Sequence, residues 1–149
     1  MFSRILLPVD LQETAAALRA AEIAVDQARK HGAELHVLAV LPGVGMPLVS
    51  TYFPRDAIDR ARHDLDRRLA DWVRDHVPAD VTVSRAVREG APHREILDEI
   101  GRSGADLVVM ASHDDPRVDR ALLGSVASKV VERSHVSVMV IRAPGHRHP

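Results

Sequence analysis

Between Leu107 and Ile141 the chain contains a complete strand, loop, helix and strand in succession. The apolar run Leu107-Val108-Val109-Met110 breaks into Ala111-Ser112-His113-Asp114-Asp115-Pro116. Leu122-Leu123-Gly124-Ser125-Val126 then opens a helical pattern, and Val136 to Ile141 is a second apolar run. Short, wholly apolar runs are strands covered on both faces, and two of them joined through a helix pair in parallel. The loop after the first strand and the N-terminus of the helix then point the same way, toward the carboxyl end of the sheet. Backbone N–H groups at Gly124, Ser125 and Val126 lack intrahelical acceptors there, and the helix dipole adds partial positive charge. Such an end attracts anions, with phosphate the first candidate.

The rest of the chain repeats the alternation. Ile5-Leu6-Leu7-Pro8-Val9 reads as a buried strand ending at Asp10; Pro8, which has no N–H to give to a ladder, belongs at its carboxyl end. Thr14 to Lys30 carries Leu18, Ala21, Val25 and Ala28 as a narrow apolar helical stripe, closed by Gly32 after Arg29 and Lys30. Leu35 to Leu41 is a second strand, and the segment from Pro42 to Pro54 is a loop too apolar (Leu48, Val49, Tyr52, Phe53) for a purely solvated linker. From Arg55 a long helix places Ile58, Ala61, Leu65, Leu69 and Trp72 on one face until Val77-Pro78. Val81 to Val87 alternates like an edge strand and Gly90 ends it. Pro92 starts a short helix with Ile96, Leu97 and Ile100 inside, running to Gly101 and Gly104.

Five strands alternating with helices predict an α/β fold: a single doubly wound, five-stranded parallel sheet with helices on both faces and right-handed crossovers. The expected organisation is one domain over residues 1–143 and a disordered tail at 144–149. A chain of 149 residues buries roughly two thirds of the surface its unfolded form exposes, so no staple is needed. There is no cysteine, which excludes thiol chemistry and cysteine-ligated zinc. The first residues lack the apolar core of a signal peptide, no run approaches the length of a membrane span, and a cytoplasmic location is expected. Twenty basic and 21 acidic residues, interspersed for a net charge of −1, leave no electrostatic footprint for nucleic acid or an anionic membrane. One Trp, one Tyr and two Phe are too few for base-stacking platforms.

With strand order 3-2-1-4-5, the direction of winding reverses between the first and fourth strands, and ligands of such sheets bind outside the carboxyl ends at that point. Asp10 ends the first strand there, and Ala111-Ser112-His113 follows the fourth. One crevice therefore holds a carboxylate and an anion-attracting helix start.

Five segments in this order and spacing resemble the universal stress protein family, within the adenine-nucleotide α-hydrolase-like superfamily. They are Ile5 to Asp10, Val87-Arg88-Glu89-Gly90-Ala91-Pro92, Val108 to His113, Leu122 to Val126, and Val138 to Arg142. The nucleotide-binding branch of that family carries a glycine, two residues, a glycine, nine residues, then glycine and serine or threonine. Here Gly124 and Ser125 match at the right spacing, while Ala111 and Asp114 stand at the first two glycine positions. The Ala-Ser-His start followed by Leu-Leu-Gly-Ser is similar to a small-protein subgroup in which the proline comes one position earlier than Pro116.

The resemblance implies ATP or another adenine nucleotide, with Mg where the phosphates require it. Pro8, Val9 and Asp10 would border adenine and ribose, Val40 would close the base pocket, and Met110 and Ala111 would lie near the ribose. Gly124, Ser125 and Val126 would hold phosphates through backbone N–H groups. It also implies a homodimer paired through the last strand, Val136 to Ile141, and a stress-response regulator rather than an enzyme, with slow ATPase or autophosphorylating activity at most. The other class is a dimeric scaffold that recognises a protein partner without nucleotide, to which Ala111 and Asp114 point.

Each candidate also has a plainer reading. Gly124-Ser125 is equally an ordinary helix start, and Asp10 a helix N-cap. His113 has a pKa suited to proton transfer but stands alone in a polar loop. The pairs His31 with His36 and His146 with His148 lack the company of a metal site. Arg117, Arg120 and Lys129 either screen phosphate or are simply solvated. No Gly-x-x-x-x-Gly-Lys loop, Gly-x-Ser-x-Gly elbow or other catalytic constellation is visible along the chain.

Overall fold

The computed structural model describes residues 1–11, 15–41, 54–112 and 123–142. The Pro42–Phe53 part of the apolar loop, His113, Asp114, Arg117, Arg120, His146, His148 and the tail lie outside these. The elements are β1 (Arg4–Pro8), α1 (Ala15–His31), β2 (Glu34–Leu41), α2 (Arg55–His76), β3 (Val83–Glu89), α3 (Pro92–Ser103), β4 (Leu107–Ala111), α4 (Ser125–Arg133) and β5 (Ser137–Ile141). All strand pairs are parallel, in the order β3-β2-β1-β4-β5. The predicted sheet and its order are those observed.

Strand alternation sorts the core into two layers. Ile5, Leu7, Leu35, Val37, Ala39, Leu107 and Val109 face α1 and α2, whereas Leu6, Leu38, Val108 and Met110 face α3 and α4. Central strands buried on both sides must be apolar at every position, which is why Ile5-Leu6-Leu7 is wholly inaccessible. Pro8 is the last residue of β1, where the ladder finishes. Val9 takes up the pairing beyond it by donating its N–H to the Leu38 carbonyl at 2.8 Å.

Local chemistry sets the ends. After His31, Gly32 adopts φ +62° and the Ala33 N–H reaches the Ala28 carbonyl at 2.9 Å, the hydrogen bond of a Schellman turn. Gly90, at φ +143°, turns the chain out of β3, and a Cβ there would come within 3.0 Å of Glu95 Oε2. One expectation changes. The buried stripe of α1 is broad and built from alanines (Ala16, Ala17, Ala20, Ala21, Ala24, Val25, Ala28), small enough to bring the helix close to the sheet, while Leu18 is only half-buried. The short helix runs through Gly101 and ends at Gly104.

Beneath α3 lies the most buried charge among the described residues. Glu99 is 1 % exposed and accepts from His36 Nε2 at 2.7 Å, Arg88 Nε at 2.9 Å and Arg102 Nη1 at 3.3 Å. Burial alone would push its carboxyl up, but the bonds from Arg88, His36 and Arg102 outweigh that and hold it below the ordinary value. On the opposite side of the ring, His36 Nδ1 lies 2.7 Å from Ser84 Oγ. At the amino end of the sheet, Asp106 accepts from the Ser3 and Arg4 backbone N–H groups, tying β4 to β1.

Candidate nucleotide site

At the carboxyl ends of β1, β2 and β4 the sheet opens into a cavity of about 380 Å³, within the usual range of small-ligand sites. Its walls include Pro8, Val9, Asp10, Val40, Met110, Ala111 and Val126. These seven sequence-nominated residues converge because β1 and β4 are neighbours at the winding reversal while their crossovers leave on opposite faces. Sequence reasoning missed the rest of the wall. Leu38, Ala39 and Leu41 from β2, Ala17 from α1, Leu65 and Arg68 from α2, and Pro92 and Ile96 from α3 also line it, with Leu11. In the sequence Leu65 and Ile96 read as core-facing helix positions; the pocket is the open end of that same core.

The lining is apolar apart from two exposed charges of opposite sign, Asp10 and Arg68. An apolar slot with polar groups at its mouth suits a flat, weakly polar ring carrying a charged substituent. Gly124 and Ser125 stand beside the cavity, not in its wall. Gly124 is the N-cap residue of α4, with no side chain capping the helix, and its own N–H donates to Ser112 Oγ at 3.2 Å. Ser112 was passed over in the sequence, yet it is 1 % exposed. Its backbone N–H also donates to the Ile141 carbonyl at 2.9 Å, so the end of β4 is fastened to both β5 and α4.

His31 and His36 do not come together. His31 packs edge-on to Phe2 and approaches Gln27, whereas His36 turns to Glu99 on the other face of the sheet. No metal-ligating cluster occurs among the described residues. Lys129 is exposed on α4. Burial lowers the His93 pKa, and the positive charges of Lys129, Arg133 and Arg94 lower it further. No helix among the described residues is long and apolar enough to cross a membrane.

The model of the universal stress protein family matches residues 1–142. The chain belongs to the universal stress protein family. Among curated members, universal stress protein G of Salmonella typhimurium is 32 % identical over 146 residues, covering 95 % of this chain and 100 % of the relative. A universal stress protein of Methanocaldococcus jannaschii is 28 % identical over 153 residues, covering 97 % and 84 %. Among solved structures, a universal stress protein from Lactobacillus plantarum superposes with a TM-score of 0.70 at 27 % identity, over 94 % of this chain and 97 % of that one. Two further universal stress proteins were solved as complexes. One, from Archaeoglobus fulgidus, holds dAMP (TM-score 0.63, 22 % identity, 93 % and 97 % covered). The other holds cAMP (TM-score 0.61, 20 % identity, 95 % and 98 % covered). At those identities the likeness is one of fold.

Proposed function

We propose that this universal stress protein is a regulator that binds ATP or another adenine nucleotide in the cavity at the β1–β4 reversal. The observation that carries the reading is the convergence on one apolar slot of Pro8, Val9, Asp10, Val40, Met110, Ala111 and Val126. The base and ribose occupy the slot, with Val40 over the base, Asp10 accepting from a ribose hydroxyl or an exocyclic amine, and Met110 and Ala111 against the ribose. The phosphates extend to the uncapped start of α4, where the Ser125 and Val126 N–H groups and the Ser125 hydroxyl receive them. The dAMP and cAMP complexes of family members support this class of ligand. The active form is a homodimer paired through β5, and nucleotide occupancy changes which protein partner it accepts.

Calorimetric titration of nucleotide-free protein with ATP, with and without Mg, tests the reading; one saturable site per chain is expected. Ser125→Ala weakens ATP binding by about 1–3 kcal/mol, the loss of one hydrogen bond to a charged group. The absence of heat and of competition at millimolar nucleotide overturns the nucleotide reading. The second reading, a scaffold for a protein partner, draws on Ala111 at a family glycine position and on the Gly124 N–H being held by Ser112.

A further inference from the structure

The Glu99 cluster sits away from the cavity, on the α3 side of the β2–β3 pair, and the nucleotide reading has no use for it. His36 and Ser84 face each other in register across that pair. Both project toward α3, which supplies Glu99. Two guanidinium groups, Arg88 and Arg102, keep Glu99 ionised and therefore acceptor-only. The His36 Nε2, 2.7 Å from its Oε2, must then carry the ring proton. In the neutral imidazole this leaves Nδ1 with a lone pair, and the one group 2.7 Å from it is the Ser84 hydroxyl, which donates. An ionised carboxylate fixes the tautomer, the imidazole is aimed, and a serine O–H points at its free nitrogen. This is the hydrogen-bond order of an activated hydroxyl nucleophile. Glu99 is buried and the ring largely covered, with side-chain exposures of 1 % and 12 %, while Ser84 is exposed on an edge strand. The base is sheltered and the nucleophile is open to solution.

We infer that Ser84 is a base-activated nucleophile that takes an acyl group from activated carboxylic esters. Ser84 Oγ bonds to the carbonyl carbon as its proton moves to His36 Nδ1. The C–O bond to the leaving group then breaks, and the departing alkoxide or phenolate takes that proton as the ring returns to neutrality. Water, deprotonated by the same nitrogen, releases the carboxylic acid and restores Ser84. On an exposed strand the developing oxyanion is met mainly by water, so the substrates are esters with good leaving groups rather than amides. Glu99 is a positioning residue; it acts through His36.

The full chain is treated with p-nitrophenyl acetate and followed by phenolate release, intact mass and peptide mapping. A single acetyl group on Ser84 is expected, absent from Ser84→Ala and formed about a hundredfold more slowly in His36→Gln, the ordinary size of general-base assistance. Because His36→Gln also removes a bond to Glu99, a second measurement separates reactivity from folding. The chain has no cysteine, so Ser84→Cys introduces a single thiol. Its alkylation by iodoacetamide at neutral pH should be at least tenfold faster with His36 present than in the Ser84→Cys, His36→Gln double variant. Acetylation confined to lysines, or equal alkylation rates in the two cysteine variants, overturns the inference. Saturating ATP leaves the Ser84 chemistry unchanged, which separates its failure from that of the nucleotide reading.

Discussion

The two edges of the sheet are built on opposite principles. β3 carries charge along its length. Arg85 pairs with Asp66 of α2 at 3.1 Å, Arg88 with Glu99 at 2.9 Å, and Arg62 reaches the Val87 carbonyl at 3.4 Å, against the open side of the strand. β5, Ser137-Val138-Met139-Val140-Ile141, has no charged residue, and Val138, Met139 and Val140 are only half-buried in the single chain. An edge strand is a template for pairing with another chain, and charged side chains are the usual defence against it. One edge is therefore closed by its own helices and ion pairs, and the other is left apolar, the character expected of a surface that pairs.

Removing the charge that organises the closed edge has the largest expected effect. Glu99→Ala leaves His36, Arg88 and Arg102 without their common acceptor. It should lower unfolding free energy by about 3 kcal/mol, near the low end for breaking a buried pair because both arginines reach water. Urea denaturation followed by circular dichroism measures it. A loss below about 1 kcal/mol would mean that the cluster is no more than a surface ion pair. At the open edge the corresponding change is Met139→Lys. It should leave the chain folded and weaken self-association by roughly 2 kcal/mol, about the value of a buried methionine side chain, read as a fall in mass by light scattering. If Ser84→Lys at the charged edge lowers the mass as much, the two edges are not specialised as argued.

The contrast was only partly legible in the sequence. Apolar runs and turn residues announce a parallel sheet and bring Asp10 and Ala111 to one crevice at the reversal, whereas Pro8, Val9, Val40 and Met110 were legible only through the resemblance to the family. The rest of the wall comes from β2, α1, α2 and α3 with Leu11, and Leu65 and Ile96 look like any core residue until the helices are docked. The Glu99 cluster was invisible for a different reason. His36, Ser84 and Glu99 are separated by 48 and 63 positions, no motif links them, and Glu99 sits in a stretch of charged helix that reads as solvated. Ser112 was hidden as well: nothing in Ala-Ser-His says that its hydroxyl will hold the Gly124 N–H.

Acid should act on the two edges differently. The folded-state pKa of Glu99 is lowered from its ordinary 4.5. At Asp106, burial raises the value and the Ser3 and Arg4 backbone N–H groups more than offset it, leaving it below 3.8. A carboxyl depressed in the folded state contributes stability that is fully present above its unfolded pKa and is lost as pH falls through the folded value. Stability attributable to these groups should therefore be flat above about pH 5 and decline below about 4.5. Glu99→Gln should flatten that decline. If the chains pair through β5 by apolar contact, as proposed, dimer mass should hold until the fold itself begins to fail. Loss of the dimer at a pH where circular dichroism is still native would show that charge, not apolar contact, joins the chains.

The smallest change sharpens the comparison from the helix that covers the charged edge. Gly101 lies inside α3 on its exposed side, and a Cβ added there meets nothing within 4 Å. Glycine in a helix interior costs about 0.5–1 kcal/mol relative to alanine, because the unfolded chain has more freedom to lose. Gly101→Ala should stabilise the protein by that amount in urea denaturation while leaving dimer mass and nucleotide affinity unchanged. If α3 is the element that fastens the β3 edge through Glu99, the gain from Gly101→Ala should shrink in a Glu99→Ala background, where the helix is less firmly docked. Full additivity would instead mean that α3 stays docked through Ile96 and Ile100 alone, and that the carboxylate organises His36 and Ser84 without holding the helix.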